Sequence, residues 1–121
     1  MYDIQKRHKH NNIYKKVAYL EKHVFYGLTN LNDGFDGPRI KYFSERDFEV
    51  VLARVKSLGL GIYGIEPWRD GCFYDCEVFE CHTSDPTDST WYMNCFDNFK
   101  KRGDNIVYAA SYHIPENLYS E

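Results

Sequence analysis

An Asp-Gly dipeptide at positions 70–71 limits how this chain can fold more than any other feature. Asp-Gly between two runs of alternating side chains is a strong signal for a two-residue type I′ hairpin turn. The flanking runs, residues 61–68 and 72–81, are therefore predicted to be neighbouring antiparallel strands. Because side chains alternate along a strand, the turn also predicts which residues share a face of the sheet.

The predicted register follows by counting outward from this turn, where Arg69 faces Cys72. On one face it pairs Trp68 with Phe73, Glu66 with Asp75, Gly64 with Glu77 and Ile62 with Phe79, and on the other it pairs Ile65 with Cys76 and Tyr63 with Val78. Like charges across a strand pair are destabilising. We therefore expect a cation, a basic partner or a raised pKa to offset Glu66 opposite Asp75.

Two amphipathic helices flank the hairpin. Ser44 is a predicted N-cap, with Asp47 placed to complete a capping box, and Gly59 ends the first helix. The second begins at Asp85-Pro86 and stops at Gly103. The apolar stripes are Phe48, Val51, Leu52, Val55 and Leu58 in the first helix, and Tyr92, Cys95, Phe96 and Phe99 in the second.

Each helix has a predicted strand beyond it, at residues 23–29 and 106–113. The segment 30–38 is rich in turn residues and is a candidate functional loop. Residues 13–20 fit either a helix or a strand. The element order β-α-β-β-α-β predicts a ferredoxin-like α+β fold, an antiparallel sheet with two helices on one face. What the other face does is then the functional question.

The chain has 121 residues, which suits one domain with one core. Residues 1–12 are expected to form a flexible basic arm, and residues 13–121 a single α+β domain. The formal net charge is −3, but residues 1–23 carry +4, which leaves −7 for the remainder. An acidic body repels phosphate, so we expect no nucleic-acid partner.

We expect a cytoplasmic protein with no membrane partner, because no run of the chain resembles a membrane span or a secretory signal. The four cysteines are expected to be reduced, since Cys72 and Cys76 lie about 13 Å apart on one strand. Neither they nor His82 show the C-x₂-C spacing of a zinc site. The sequence thus predicts no metal and no cofactor.

The candidate site is the sheet face that the helices leave uncovered. Exposed aromatic patches of this kind usually mark an interface. A shift of one residue in register would exchange the two faces. The predicted binding residues are Glu66, Trp68, Phe73, Asp75, Glu77, Phe79, Phe25 and His23, accompanied by Ile62, Tyr108 and Tyr112.

The function expected from this face is binding rather than catalysis. Aromatic anchors among fixed negative charges suit a protein partner with a basic patch, as an inhibitor or immunity-type protein faces a cationic toxin. One alternative is a dimeric α/β-barrel enzyme acting on a small hydrophobic substrate, with His23, Glu66, Asp75 and His113 as candidate groups. Another is a structural homodimer, in which the partner is a second copy and no ligand is bound.

Overall fold

The computed structural model describes residues 4–120, with side chains from residue 12 onward. In chain order the elements are α1 (Ile4–His23), α2 (Glu45–Ser57), β1 (Gly61–Arg69), β2 (Cys72–Phe73), β3 (Glu77–Val78), the 3₁₀ helix η1 (Phe79–Cys81), α3 (Ser89–Lys101), β4 (Ile106–His113) and the 3₁₀ helix η2 (Glu116–Leu118). The chain is an α+β protein with a four-stranded antiparallel sheet. None of the helices in the described residues has the length and apolar character needed to cross a bilayer.

Strand β1 is the centre of the sheet. It pairs with β4 from Gly61 opposite His113 to Arg69 opposite Ile106, with an irregularity after Ile62. Its other edge carries β2 and β3. The last strand thus lies directly beside β1, and the ferredoxin-like strand order is not confirmed.

The predicted hairpin turn is confirmed. Asp70 and Gly71 have φ values of 53° and 77°, as a type I′ turn requires. Trp68 pairs with Phe73, and Arg69 pairs with Cys72, as predicted.

The predicted register is wrong beyond this point, because the second strand contains a bulge. The N–H groups of Tyr74 and Asp75 both point to the carbonyl of Pro67, at 3.1 and 3.4 Å. Pro67 has no N–H to donate to the second strand, so the regular ladder is interrupted here and the second strand accommodates one extra residue. Ile65 consequently faces Glu77, and Gly64 faces Val78. The predicted strand 72–81 becomes two short strands followed by η1.

The predicted strand at residues 23–29 is also wrong. His23 ends α1, and the N–H groups of Val24 and Phe25 both bond the carbonyl of Leu20 at the helix end. Arg54 of α2 then donates to the carbonyls of Val24 and Tyr26, at 2.9 and 2.8 Å. These contacts supply hydrogen-bond partners for the backbone groups of this segment, which therefore needs no neighbouring strand.

The helix α1 extends through residues 13–20, whose structure the sequence left open, and into the predicted arm at residues 1–12. Straight-chain residues such as Gln5 and Lys6 have favourable helix propensity, which accounts for the early start. Residues 1–3 lie outside the described residues. The boundary of the arm at residue 12 stays a prediction.

The helices α2 and α3 begin at side-chain caps. The hydroxyl of Ser44 accepts the N–H of Asp47 at 3.1 Å, as predicted, and α2 ends just before Gly59. In contrast, α3 begins later than predicted, because Asp88 rather than Asp85 is its N-cap. Asp85 instead accepts the N–H and hydroxyl of Thr87 in the preceding turn.

The core lies between the sheet and the helices α2 and α3. Phe48 of α2 packs on Tyr108 of β4 in a stacked arrangement, with ring centroids 5.2 Å apart. Phe96 of α3 contacts both rings edge-on. The other fully buried side chains of this core include Val24, Phe43, Val51, Leu52, Val55, Leu60, Ile62, Ile65, Tyr92 and Phe99.

Candidate functional site

The sheet has one face toward the helices and one face away from them. Ile65 is buried in the helix-covered core together with Tyr108. Because side chains alternate along strands, Glu66 and its partner Ala109 lie on the opposite face, as does Trp68. We call this side the outer face.

A loop at residues 30–42, here named the covering loop, lies over part of the outer face. Its shape depends on the side chain of Asn32, which donates to the carbonyls of Gly37 and Ile40 at 2.9 and 2.8 Å. The Asn32 side-chain oxygen accepts the N–H of Gly34 at 3.1 Å. Asn30 closes the loop by accepting the N–H of Tyr42 at 3.0 Å. The side chains of Asn30 and Asn32 thereby provide hydrogen bonds that regular secondary structure would otherwise provide.

The covering loop places two rings on the outer face. Phe35 and Tyr42 both contact Trp68, with ring centroids 5.2 and 5.5 Å away, and they contact each other at 4.8 Å. Trp68 also contacts Phe73 edge-on at 6.4 Å. Tyr42 is fully buried, whereas Phe73 is 56% exposed. This aromatic cluster is therefore sealed on the loop side and open on the hairpin side.

Two carboxylates meet the hydroxyl of Tyr42. It donates to Asp36 at 2.6 Å, and Glu66 lies at the longer distance of 3.5 Å. Burial raises the pKa of Tyr42 well above its ordinary value, and the hydrogen bond to Asp36 adds to this. The same bond, with the N–H of Gly37, lowers the pKa of Asp36. The phenol therefore stays neutral and the Asp36 carboxylate stays charged at neutral pH.

Beside this cluster the outer face contains an open recess of about 460 Å³, here named the outer-face cavity. Small residues of the sheet, including Gly64 and Ala109, leave the space, and Tyr63 and Phe79 supply rings at its wall. Those two rings are 5.9 Å apart. The full lining is Ile40, Tyr63, Gly64, Glu66, Cys76, Val78, Phe79, Glu80, Ala109, Ala110 and Ser111.

The predicted opposition of Glu66 and Asp75 is wrong. The bulge turns Asp75 toward α3, where Arg102 donates to its carboxylate at 2.5 Å. That bond lowers the pKa of Asp75. Glu66 instead lies in the outer-face cavity, where Cys76 is a neighbour. Burial, followed by Glu66, raises the pKa of the Cys76 thiol, which therefore is not a thiolate at neutral pH.

The other predicted site residues divide into those on the outer face and those elsewhere. Phe79 lines the outer-face cavity, and Trp68 and Phe73 belong to the adjoining aromatic cluster. Glu77 does not join them, since its carboxylate pairs with His82 at 2.8 Å. Two predicted binding residues, Phe25 and His23, belong to the strand that does not form, since Phe25 lies in the core and His23 ends α1. Their predicted companions Ile62, Tyr108 and Tyr112 lie in or against the core.

The groups considered for catalysis are not brought together. His23 packs on Tyr19 within α1, at a ring distance of 4.5 Å. His113 shares a hydrogen bond with the hydroxyl of Tyr63 at 2.8 Å. Asp75 is held by Arg102, as described above. Only Glu66 of the four candidates lines the outer-face cavity.

A smaller recess of about 240 Å³ lies between η1 and α3. The Glu77–His82 pair and Arg102 are part of its lining, and the His82 ring stacks on Trp91. Burial, and next the charge of Glu77, raises the pKa of Cys95 to about 12, so the thiol there is protonated. Within the described chain, no three His, Cys, Asp or Glu residues gather in a way that would hold a metal ion.

Sequence reasoning missed the contribution of the covering loop. Asp36, Ile40 and Tyr42 all reach the outer face, whereas the sequence indicates a functional loop only through its length and turn residues. The sequence does not indicate Glu80, because it predicts a strand where the structure has η1. Comparison with protein-family models, with curated proteins and with solved structures gives no match for this chain. The geometry of the outer face therefore carries the functional argument.

Proposed function

We propose that this protein is a binding module that captures a basic segment of a protein partner on its outer face. One observation carries the proposal. The outer-face cavity has largely apolar walls and two carboxylates, Glu66 and Glu80, and no lysine, arginine or histidine is among its described lining residues. A carboxylate among apolar walls loses hydration, and a partner's cation offsets that loss.

The rings beside the cavity supply contact area for such a partner. Phe73 is 56% exposed and Tyr63 is 41% exposed. Aromatic residues are frequent binding hot spots, since they bury a large area with few rotatable bonds. Both rings sit on the sheet rather than on a long loop, so little order has to be gained on binding.

The charge of residues 24–121 favours the same class of partner. Residues outside the segment 1–23 carry a net charge of −7. An acidic surface attracts basic proteins and accelerates their encounter. Inhibitors and immunity-type proteins that face cationic toxins or nucleases have this character, and we extend the proposal to that class. The four free cysteines favour a reducing compartment, so we propose a cytoplasmic setting.

The proposal is tested with a hexa-arginine peptide and two double variants of equal net charge. Glu66→Lys with Glu80→Lys places the new charges in the cavity. Glu49→Lys with Glu116→Lys, the matched control, places them at exposed positions on α2 and η2. Calorimetric titration at low salt should show affinity about tenfold weaker for the cavity variant than for the control.

Thermal unfolding of both variants checks that each is folded. Equal affinity in the two folded variants would contradict the proposal, because binding would then depend on net charge and not on the outer face.

A further inference from the structure

We propose that the outer-face cavity receives the guanidinium group of an arginine side chain from the partner. This inference rests on the proposed function and makes it specific, since it names the chemical group that enters the recess. It requires that Glu66 be available, that the walls suit a flat cation, and that arginine be favoured over lysine.

Glu66 is available because the described part of the chain supplies it with no cation. Its hairpin neighbours Asp75 and Glu77 are paired with Arg102 and His82, respectively. Within the described residues, no basic side chain forms an ion pair with Glu66, and the Tyr42 hydroxyl approaches its carboxylate at 3.5 Å. A carboxylate offers about four acceptor positions, which leaves room for a bidentate donor.

The walls suit a flat cation. The rings of Tyr63 and Phe79 are inclined to each other by 53°, and both line the recess that holds Glu66. Gly64, which also lines the recess, has no side chain, and a Cβ there would lie 3.3 Å from the carbonyl oxygen of Glu77. We expect a guanidinium group that donates to Glu66 in this recess to contact one of these two rings.

Arginine is favoured over lysine by the cost of dehydration. Entering a recess walled by Ile40, Val78 and Phe79 removes water from the cation. A guanidinium group is less strongly hydrated than an ammonium group, stacks on rings, and matches a carboxylate with two parallel donors. An ammonium group has none of these advantages, so lysine should bind more weakly.

The test uses short Gly/Ser peptides with a single arginine, lysine or citrulline, of which citrulline is the neutral near-isostere. Backbone amide signals of Gly64, Ala109 and Ser111 in ¹⁵N-labelled full-length protein report the occupancy of the cavity. We expect saturable shifts with the arginine peptide, about fivefold weaker binding with lysine, and no shift with citrulline. Glu66→Gln should abolish the arginine response, whereas Glu49→Gln should leave it unchanged.

Two outcomes would overturn this inference and leave the proposed function standing. Equal binding of the arginine and lysine peptides would show a general cation site. The amide signals of the cavity could also stay unshifted while hexa-arginine capture still depends on Glu66 and Glu80. That result would show that the cation binds at the surface and that no side chain enters the cavity. A change of the same amide signals on simple dilution would show that a second copy occupies the cavity, and this too would overturn the inference.

Discussion

At the residue scale, Gly61 shows how closely the end of β1 is packed. A Cβ at this position would lie 2.9 Å from the carbonyl carbon and oxygen of Pro86 and 3.1 Å from the Cβ of His113. The two backbone contacts cannot be relieved by a rotamer change. The strand therefore requires glycine there for space.

Gly61→Ala should destabilise the protein by roughly 1–3 kcal/mol, since overpacking forces the backbone to move. Gly37→Ala is the matched control, because its Cβ would meet only the Cδ1 of Ile40, at an ordinary 3.7 Å. Urea unfolding of both variants measures the difference. Equal midpoints would contradict the close approach of β1 to Pro86.

The Tyr42–Asp36 hydrogen bond has a pH signature. Because the bond lowers the pKa of Asp36, it stabilises the native state above the unfolded pKa of about 3.9 and is lost as pH falls through the lower folded pKa. Tyr42→Phe should therefore lower stability clearly at about pH 6 and less at about pH 2. Urea unfolding at both pH values tests this. Tyr26→Phe, at a 56% exposed ring, is the control and should show neither effect.

A loss of stability in Tyr42→Phe that is the same at both pH values would contradict the assignment. It would mean that the hydroxyl acts without the ionised carboxylate of Asp36.

At the scale of elements, the covering loop depends on one side chain. Asn32 holds the carbonyls of Gly37 and Ile40 and the N–H of Gly34. Asn32→Ala should cost about 0.5–1.5 kcal/mol, since it removes the hydrogen bonds to these exposed backbone groups. Amide hydrogen exchange should then accelerate across residues 30–42 and change little in α2. Asn98→Ala, on the exposed side of α3, is the control; equal exchange in the loop of both variants would contradict the role of Asn32.

The elements that sequence could predict are those decided by local contacts. The turn at Asp70-Gly71 and the Ser44 cap need only neighbouring residues, and both are present. The segment 23–29 alternates like a strand, but Arg54, distant in sequence, fixes its carbonyls instead. The local sequence pattern cannot predict such a long-range contact.

The candidate site was predictable in part for the same reason. Glu66 and Trp68 belong to the outer face, as expected from alternation along β1. Phe79 also lines the outer-face cavity, but it does so from η1 and not from the predicted strand. The sequence contains a signal for the bulge, because Pro67 lacks an N–H. It does not show that the bulge turns Asp75 toward Arg102, because that contact depends on where α3 packs. The contact of Tyr42 with Trp68 joins two segments that are distant in sequence, so no local pattern predicts it.

At the scale of the whole molecule, the proposed function requires an outer face that is open in the free protein. We therefore expect the isolated chain to sediment as a monomer. The ring of Phe73, 56% exposed, should then be accessible to solvent. A stable dimer that dissociates in Phe73→Ser would instead support the structural homodimer. Phe25 is not suitable for this test, because it is a core residue.

The most direct test of the central claim is where a basic peptide binds. Hydrogen exchange of the full chain, measured with and without saturating hexa-arginine, locates the contact surface. We predict added protection in residues 61–66 and 76–81, which line or adjoin the outer-face cavity, and none in α2. Protection confined to α2, or to the recess between η1 and α3, would contradict the account.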